Sequence, residues 1–148
     1  MPPTPERAVR DLADGYVASL ADLDPMLATT LGLESGAQDM PDLSPAGYQA
    51  QDELAGATLA KLNRLTSDAP PVSVAERRCA RLLRERLETA LAVSATGEQL
   101  RAVRNILGPV QGLQMMFTMM PARNGADWSA IAKRIALVPQ ALAGYAAS

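Results

Sequence analysis

A chain of 148 residues with 14 basic and 16 acidic side chains carries a net charge of −2 and is of a length for one folded domain. It contains no histidine and a single cysteine, Cys79. That excludes a Ser-His-Asp triad, a Cys-His pair, an imidazole or thiolate zinc site and an intramolecular disulfide, and leaves carboxylate-only metal sites and two-carboxylate chemistry open.

Apolar residues make up 48% of the chain, yet only Tyr16, Tyr48, Phe117, Trp128 and Tyr145 are aromatic. The core must be built from Ala, Leu, Val and Met, a composition that favours helix over strand. The expected fold is all-α with no sheet: an antiparallel, bundle-like packing of about five to seven helices. It is read as one domain over residues 1–148, with a turn or linker at 66–73.

In chain order, Thr4-Pro5-Glu6 is a cap followed by proline and opens a helix to about Asp22. Val9, Leu12, Ala13, Tyr16, Val17 and Leu20 form its apolar face. Asp24-Pro25 repeats the signal and starts a short helix over residues 25–31, stopped at Gly32. Residues 34–43 read as a loop. Ser44-Pro45 starts a longer helix, ending near Thr66, with Leu54, Ala55, Thr58, Leu59, Leu62 and Leu65 along one side. Ser73 and Glu76 have the spacing of a capping box. The helix they open runs to about Ser94, with Cys79, Leu82, Leu83, Leu87, Ala90 and Leu91 inward.

Beyond Gln99 the pattern loosens. Gly108-Pro109 introduces a Met-rich apolar helix, residues 110–119. Asn124 and Asp127 start the next, with Trp128, Ile131, Ala132, Ile135 and Val138 inward. Pro139 is expected to divide it from a last helix. The chain then stops at Gly144-Tyr-Ala-Ala-Ser148 with no capping residue, which predicts a fragment of a longer protein.

The candidate sites are few. Arg77, Arg78, Arg81, Arg84 and Arg86, with Arg101 and Arg104 beyond, suggest a phosphate-binding surface. Against it stand the i,i+4 spacing of Arg81 with Glu85 and Arg84 with Glu88, and the lack of interleaved aromatics. A solvated face is expected, and no nucleic-acid partner. Charge is nonetheless uneven, −7 over residues 1–72 and +5 over residues 73–148. Asp52, Glu53, Glu85 and Glu88 read as ordinary surface acids. Cys79 reads as a buried structural thiol; nearby arginines would lower its pKa, but no base stands by to activate it. Leu113, Met115, Met116, Phe117, Met119 and Met120 form the most unusual patch. It is either core or an adaptable docking surface for a partner.

The N-terminus has no apolar stretch suited to a secretory signal, and no apolar run approaches the roughly 18–20 residues that span a bilayer. A cytoplasmic protein with no membrane partner is expected.

Asp24-Pro-Met-Leu-Ala-Thr-Thr-Leu-Gly32-Leu33, then Met40-Pro-Asp-Leu-Ser-Pro45, resembles the start of a large bacterial family, number 885 in the domain-of-unknown-function series. Leu82-Leu83-Arg84-Glu85-Arg86-Leu87-Glu88, Asn105-Ile-Leu-Gly-Pro109, Asp127-Trp128, Val138-Pro139 and Gly144-Tyr145 follow in the family's order. The resemblance implies a mostly helical cleft in a protein several times longer, whose remainder carries a His-Glu…His helix like that of zinc metallopeptidases. None of those residues is in this chain, so no catalytic, metal or cofactor position carries over. Many members have a histidine where Glu34 stands. The resemblance implies a non-catalytic N-terminal helical region that packs on a peptidase-like body and helps to wall its cleft, with zinc confined to the parent. Its partner would be the rest of its own polypeptide, or a second copy through the Met-rich segment. The alternative is a self-contained interaction module using that segment.

Overall fold

The computed structural model describes residues 7–33, 38–71, 73–101, 103–104, 106 and 108–148. Of these, 78% are helical and none is in a strand, as the composition predicts. The helices are α1 (Ala8–Leu23), α2 (Pro25–Thr30), α3 (Pro45–Asp68), α4 (Val74–Ser94), α5 (Pro109–Met119) and α6 (Gly125–Ala146), with a 3-10 turn at Glu98–Arg101. No described helix is long and apolar enough to cross a membrane. The Thr4-Pro5-Glu6 cap, Glu34 and Asn105 lie outside the described residues.

The chain divides into two compact units, Met1–Ser19 with Gln51–Gly97, and Leu20–Ala50 with Glu98–Ser148. In the first, Val9 of α1, Ala55 and Leu62 of α3, and Ala80, Leu83 and Leu87 of α4 form one buried cluster. Leu12, Ala13, Tyr16, Leu59, Leu65, Cys79 and Leu91 pack around it. Two polar ties give α3 and α4 an antiparallel register. Ser94 donates its hydroxyl to Asp52. Arg84 Nη2 donates to Asn63 Oδ1 and Thr66 Oγ1, each at 3.2 Å.

The capping box at α4 is only half formed. Ser73 Oγ accepts the Glu76 N–H at 3.1 Å. The Glu76 side chain, only 1% exposed, instead reaches α1. It accepts the Val9 N–H at 2.8 Å and Arg10 Nε at 2.5 Å. The first N–H groups of a helix have no intrahelical partner and carry a partial positive charge, so a buried carboxylate there satisfies both needs. Burial pushes the Glu76 carboxyl up, but the hydrogen bonds from Arg10 and Val9 outweigh it and hold the carboxyl below its ordinary value.

Several inward assignments are corrected. On α4, Leu82 and Ala90 face outward, and the buried line is Glu76, Ala80, Leu83 and Leu87. Leu82 follows Ala80 by only two residues, about 200° around the helix, so it falls off the line. On α1, Val17 is exposed and Ala21 is buried. The expected Arg81–Glu85 and Arg84–Glu88 pairs are not among the ion pairs of the described residues. Arg84 turns to α3, and Glu85 pairs with its neighbour Arg86 at 3.4 Å.

In the second unit, Leu43, Leu113 and Ala141 are buried together, with Met26, Met40, Leu142 and Tyr145 against them. Asp24 Oδ1 caps α2 by accepting the Met26 and Leu27 N–H groups. Gly32, at φ 70°, ends it: Leu33 N–H bonds Ala28 O at 2.9 Å, a left-handed close that glycine makes without strain. Gly112 brings α5 against α2; a Cβ there would lie 3.2 Å from Met26 Cε.

Helix α6 starts as read, with Asn124 Oδ1 accepting the Ala126 and Asp127 N–H groups. Pro139 does not divide it; one helix runs through to Ala146. Proline removes the bond to the Ile135 carbonyl, and both residues are exposed, where water can take up that acceptor. Trp128, Ala132 and Ile135 are exposed rather than inward. The buried positions are Arg134 and Ala141. The last turn is also closed, contrary to expectation: Ala147 N–H bonds Gly144 O, and the Ser148 hydroxyl bonds Leu43 O at 2.9 Å.

The Glu76 contact predicts a pH dependence. Its depressed folded-state pKa adds stability above the ordinary carboxyl range, and that stability is lost as pH falls through the folded value. Glu76→Gln is expected to cost about 1–3 kcal/mol near neutrality. Urea titrations from pH 7 downward should show the gap to wild type closing in acid.

Candidate functional site

The second unit holds a cleft of about 780 Å³, within the range of ligand-sized pockets. The end of α2 supplies Thr29 and Leu33, the end of α5 Met119 and Met120, and the start of α6 Asp127 and Arg134. Arg134 is fully buried. Its Nη1 donates to Thr29 Oγ1 at 2.7 Å and its Nη2 to Pro25 O at 3.2 Å. Thr29 Oγ1 itself donates to Pro25 O at 2.9 Å, so α6 and α2 are joined by a three-membered polar network. Burial lowers the Arg134 pKa, and the charge of Asp39 opposes that shift. At the mouth, Asp127 Oδ2 accepts the Arg123 backbone N–H at 2.8 Å.

Sequence reading missed Arg134. The signal available was its place on the line Ile131, Arg134, Val138, Ala141, a cation at helical spacing among apolar residues.

The Met-rich patch is split by the structure. Leu113 and Met116 are buried, and Phe117 and Met120 are half-buried. Met115 and Met119 are 53% and 43% exposed. The core reading therefore holds for Leu113 and Met116, while Met115 and Met119 reach solvent, because a helix that is apolar all round can turn only part of its surface to one core. Met119 and Met120 join the cleft; Leu113 belongs to the core beneath.

The reactive candidates are dispersed. Asp52 accepts from Ser94, and Glu85 pairs with Arg86. Cys79 is half-buried rather than fully buried. Burial raises its pKa, the charges of Glu76 and Asp14 raise it further, and Arg10 offsets this only in part. The expectation that arginines would lower it is therefore corrected. Among the described residues no three His, Cys, Asp or Glu side chains come together as metal ligands. With no histidine and one thiol in the sequence, the donor set does not fit zinc.

The residues around loop 40–45 are structural. Asp42 Oδ1 accepts the Ser44 N–H at 2.9 Å, and hydrogen bonds from Ser44 lower the Asp42 pKa. Leu43 enters the core, and Ser44 Oγ accepts the Gly47 N–H at the start of α3. A Cβ at Gly144 of α6 would lie 3.1 Å from Ser44 N, so that helix passes close to the loop backbone.

A family model described as bacterial protein of unknown function (DUF885) matches residues 25–148. The chain belongs to DUF885. Comparison with curated proteins finds no match. Within the DUF885 match, the stretches that resemble the family act here as caps and close contacts. Pro25 and Thr29 hold Arg134, Gly32 ends α2, and Met40–Pro45 meets the last turns of α6.

A Cβ at Gly47 would collide with the Asp42 carbonyl, whereas at Gly56, on the same helix, it would meet nothing within 4 Å. Gly47→Ala is expected to destabilise by about 1–3 kcal/mol. Gly56→Ala should stabilise by about 0.5–1 kcal/mol through helix propensity. Thermal unfolding of the pair checks the close approach of loop 40–45 to α3.

Proposed function

We propose that this chain is the non-catalytic N-terminal helical domain of a peptidase-like DUF885 protein, packing against a catalytic body and helping to wall its cleft. One observation carries the reading: 148 residues without a histidine cannot supply the histidine ligands of a zinc peptidase. Its contribution is then a shaped surface, with any zinc and its chemistry held by the body. The exposed thioethers of Met115 and Met119, beside the cleft of α2, α5 and α6, are the docking surface. Methionine suits this use because its unbranched, polarizable chain adapts to a partner. The other reading, a self-contained interaction module, is favoured by the same exposed pair.

Two experiments separate them. Reading the gene beyond the codon for Ser148 is expected to reveal a His-Glu…His helix; a stop codon would leave the interaction module. Met115→Glu/Met119→Glu should keep the chain folded, since both side chains reach solvent, while weakening association with the remainder of the polypeptide at least about tenfold, or 1.4 kcal/mol. Met116→Glu should instead unfold it, at a cost of several kcal/mol for a buried unpaired carboxylate. Sedimentation and circular dichroism read both effects.

A further inference from the structure

We propose that Arg77, Arg78 and Arg81, on the first turns of α4, form a binding site for a phosphate-class anion. With Val74 they line one shallow depression of about 480 Å³. Positions 74, 77, 78 and 81 recur at three- and four-residue steps, so the three guanidinium groups share one face.

Three features distinguish this face from an ordinary solvated one. First, the two α4 acids nearest this face are committed elsewhere: Glu76 lies buried against α1, and Glu85 pairs with Arg86. Among the described residues neither Arg78 nor Arg81 forms an ion pair with a carboxylate. Secondly, the cations repel one another, Arg77 from Arg81 at i,i+4 and Arg78 from Arg81 at i,i+3, which weakens a helix. Thirdly, they occupy its wrong end. Cations favour the C-terminal turn, where the macrodipole is negative, yet the last turn of α4 holds no basic residue.

Each choice is unfavourable for an isolated helix, and a bound dianion reverses all of them. It screens the arginines from one another, accepts their forked N–H donors, and lies at the positive end of the dipole. Departures from local rules of this kind mark functional positions. Arg84, next along the helix, contrasts with Arg78 and Arg81, since its guanidinium is held by Asn63 and Thr66; Arg77, at the edge of the face, also donates Nη1 to the Pro71 carbonyl at 3.4 Å. The site is independent of the Met-rich surface and of any catalytic body.

The test is a titration of the isotopically labelled chain with inorganic pyrophosphate, followed by amide shifts. Saturable shifts over residues 74–81 are expected. Arg78→Gln and Arg81→Gln should each weaken binding about tenfold, the loss of one charge-assisted contact. Arg86→Gln removes the same charge from the same helix and should leave the affinity within about twofold. Shifts that never saturate, or an equal loss in Arg86→Gln, would overturn the site and leave only diffuse charge. Vesicles of phosphatidylcholine with phosphatidate identify the source of the group. Cosedimentation abolished by the same two substitutions assigns a lipid phosphate, and pyrophosphate binding without cosedimentation assigns a soluble phosphate ester.

Discussion

The carboxylate of Glu76 under the start of α1 is the constraint on which the first unit depends. A core of Val9, Ala55, Leu62, Ala80, Leu83 and Leu87 is aliphatic, with a single aromatic ring, the half-buried Tyr16, against it. Such cores tolerate small slides, because aliphatic side chains repack at little cost. Polar contacts with strict geometry are what remove that freedom. Glu76 locks α4 to α1, and Asp52 with Ser94 and Arg84 with Asn63 lock α4 to α3, one at the end of α4 and one at its middle. A slip of one residue would break all of them and leave a buried charge alone.

The second unit solves the same problem with the opposite charge. Helix α2 has six residues, too few to be stable alone. Its first turn is capped by Asp24, its last by the left-handed Gly32, and its flank is bound by Arg134 through Pro25 and Thr29. In each unit one long charged side chain, drawn inside, does what a large aromatic does in most domains. It fixes which face of a helix is inside.

That explains what was legible in the sequence. Asp24, Ser73 and Asn124 were readable as caps because each bonds an N–H two or three residues away, and that spacing is written in the chain. Gly32 was readable for the same reason. The fate of the Glu76 side chain was not, since its partners stand 66 and 67 positions back. Nor was the tie between Arg134 and Thr29, 105 positions apart. Once Arg134 is drawn inward, Ile135 is carried outward, 100° further around the helix, although apolar spacing alone favoured it. Pro139 misled for a related reason: a proline signal says that one bond is lost, not whether solvent can replace it. The cleft was half legible. Met119 and Met120 stood out by composition, while Thr29 and Arg134 join it only through folding.

The chain has one tryptophan, Trp128, and it is 59% exposed near the start of α6. An indole already in water changes its surroundings little when a protein unfolds. The intrinsic fluorescence of this molecule is therefore a poor witness to global unfolding, and its emission would sit near that of the free amino acid in either state. A blue shift would instead report something arriving on the exposed face of α6 that carries Trp128, so optically the molecule is blind to its own core and attentive to its surface.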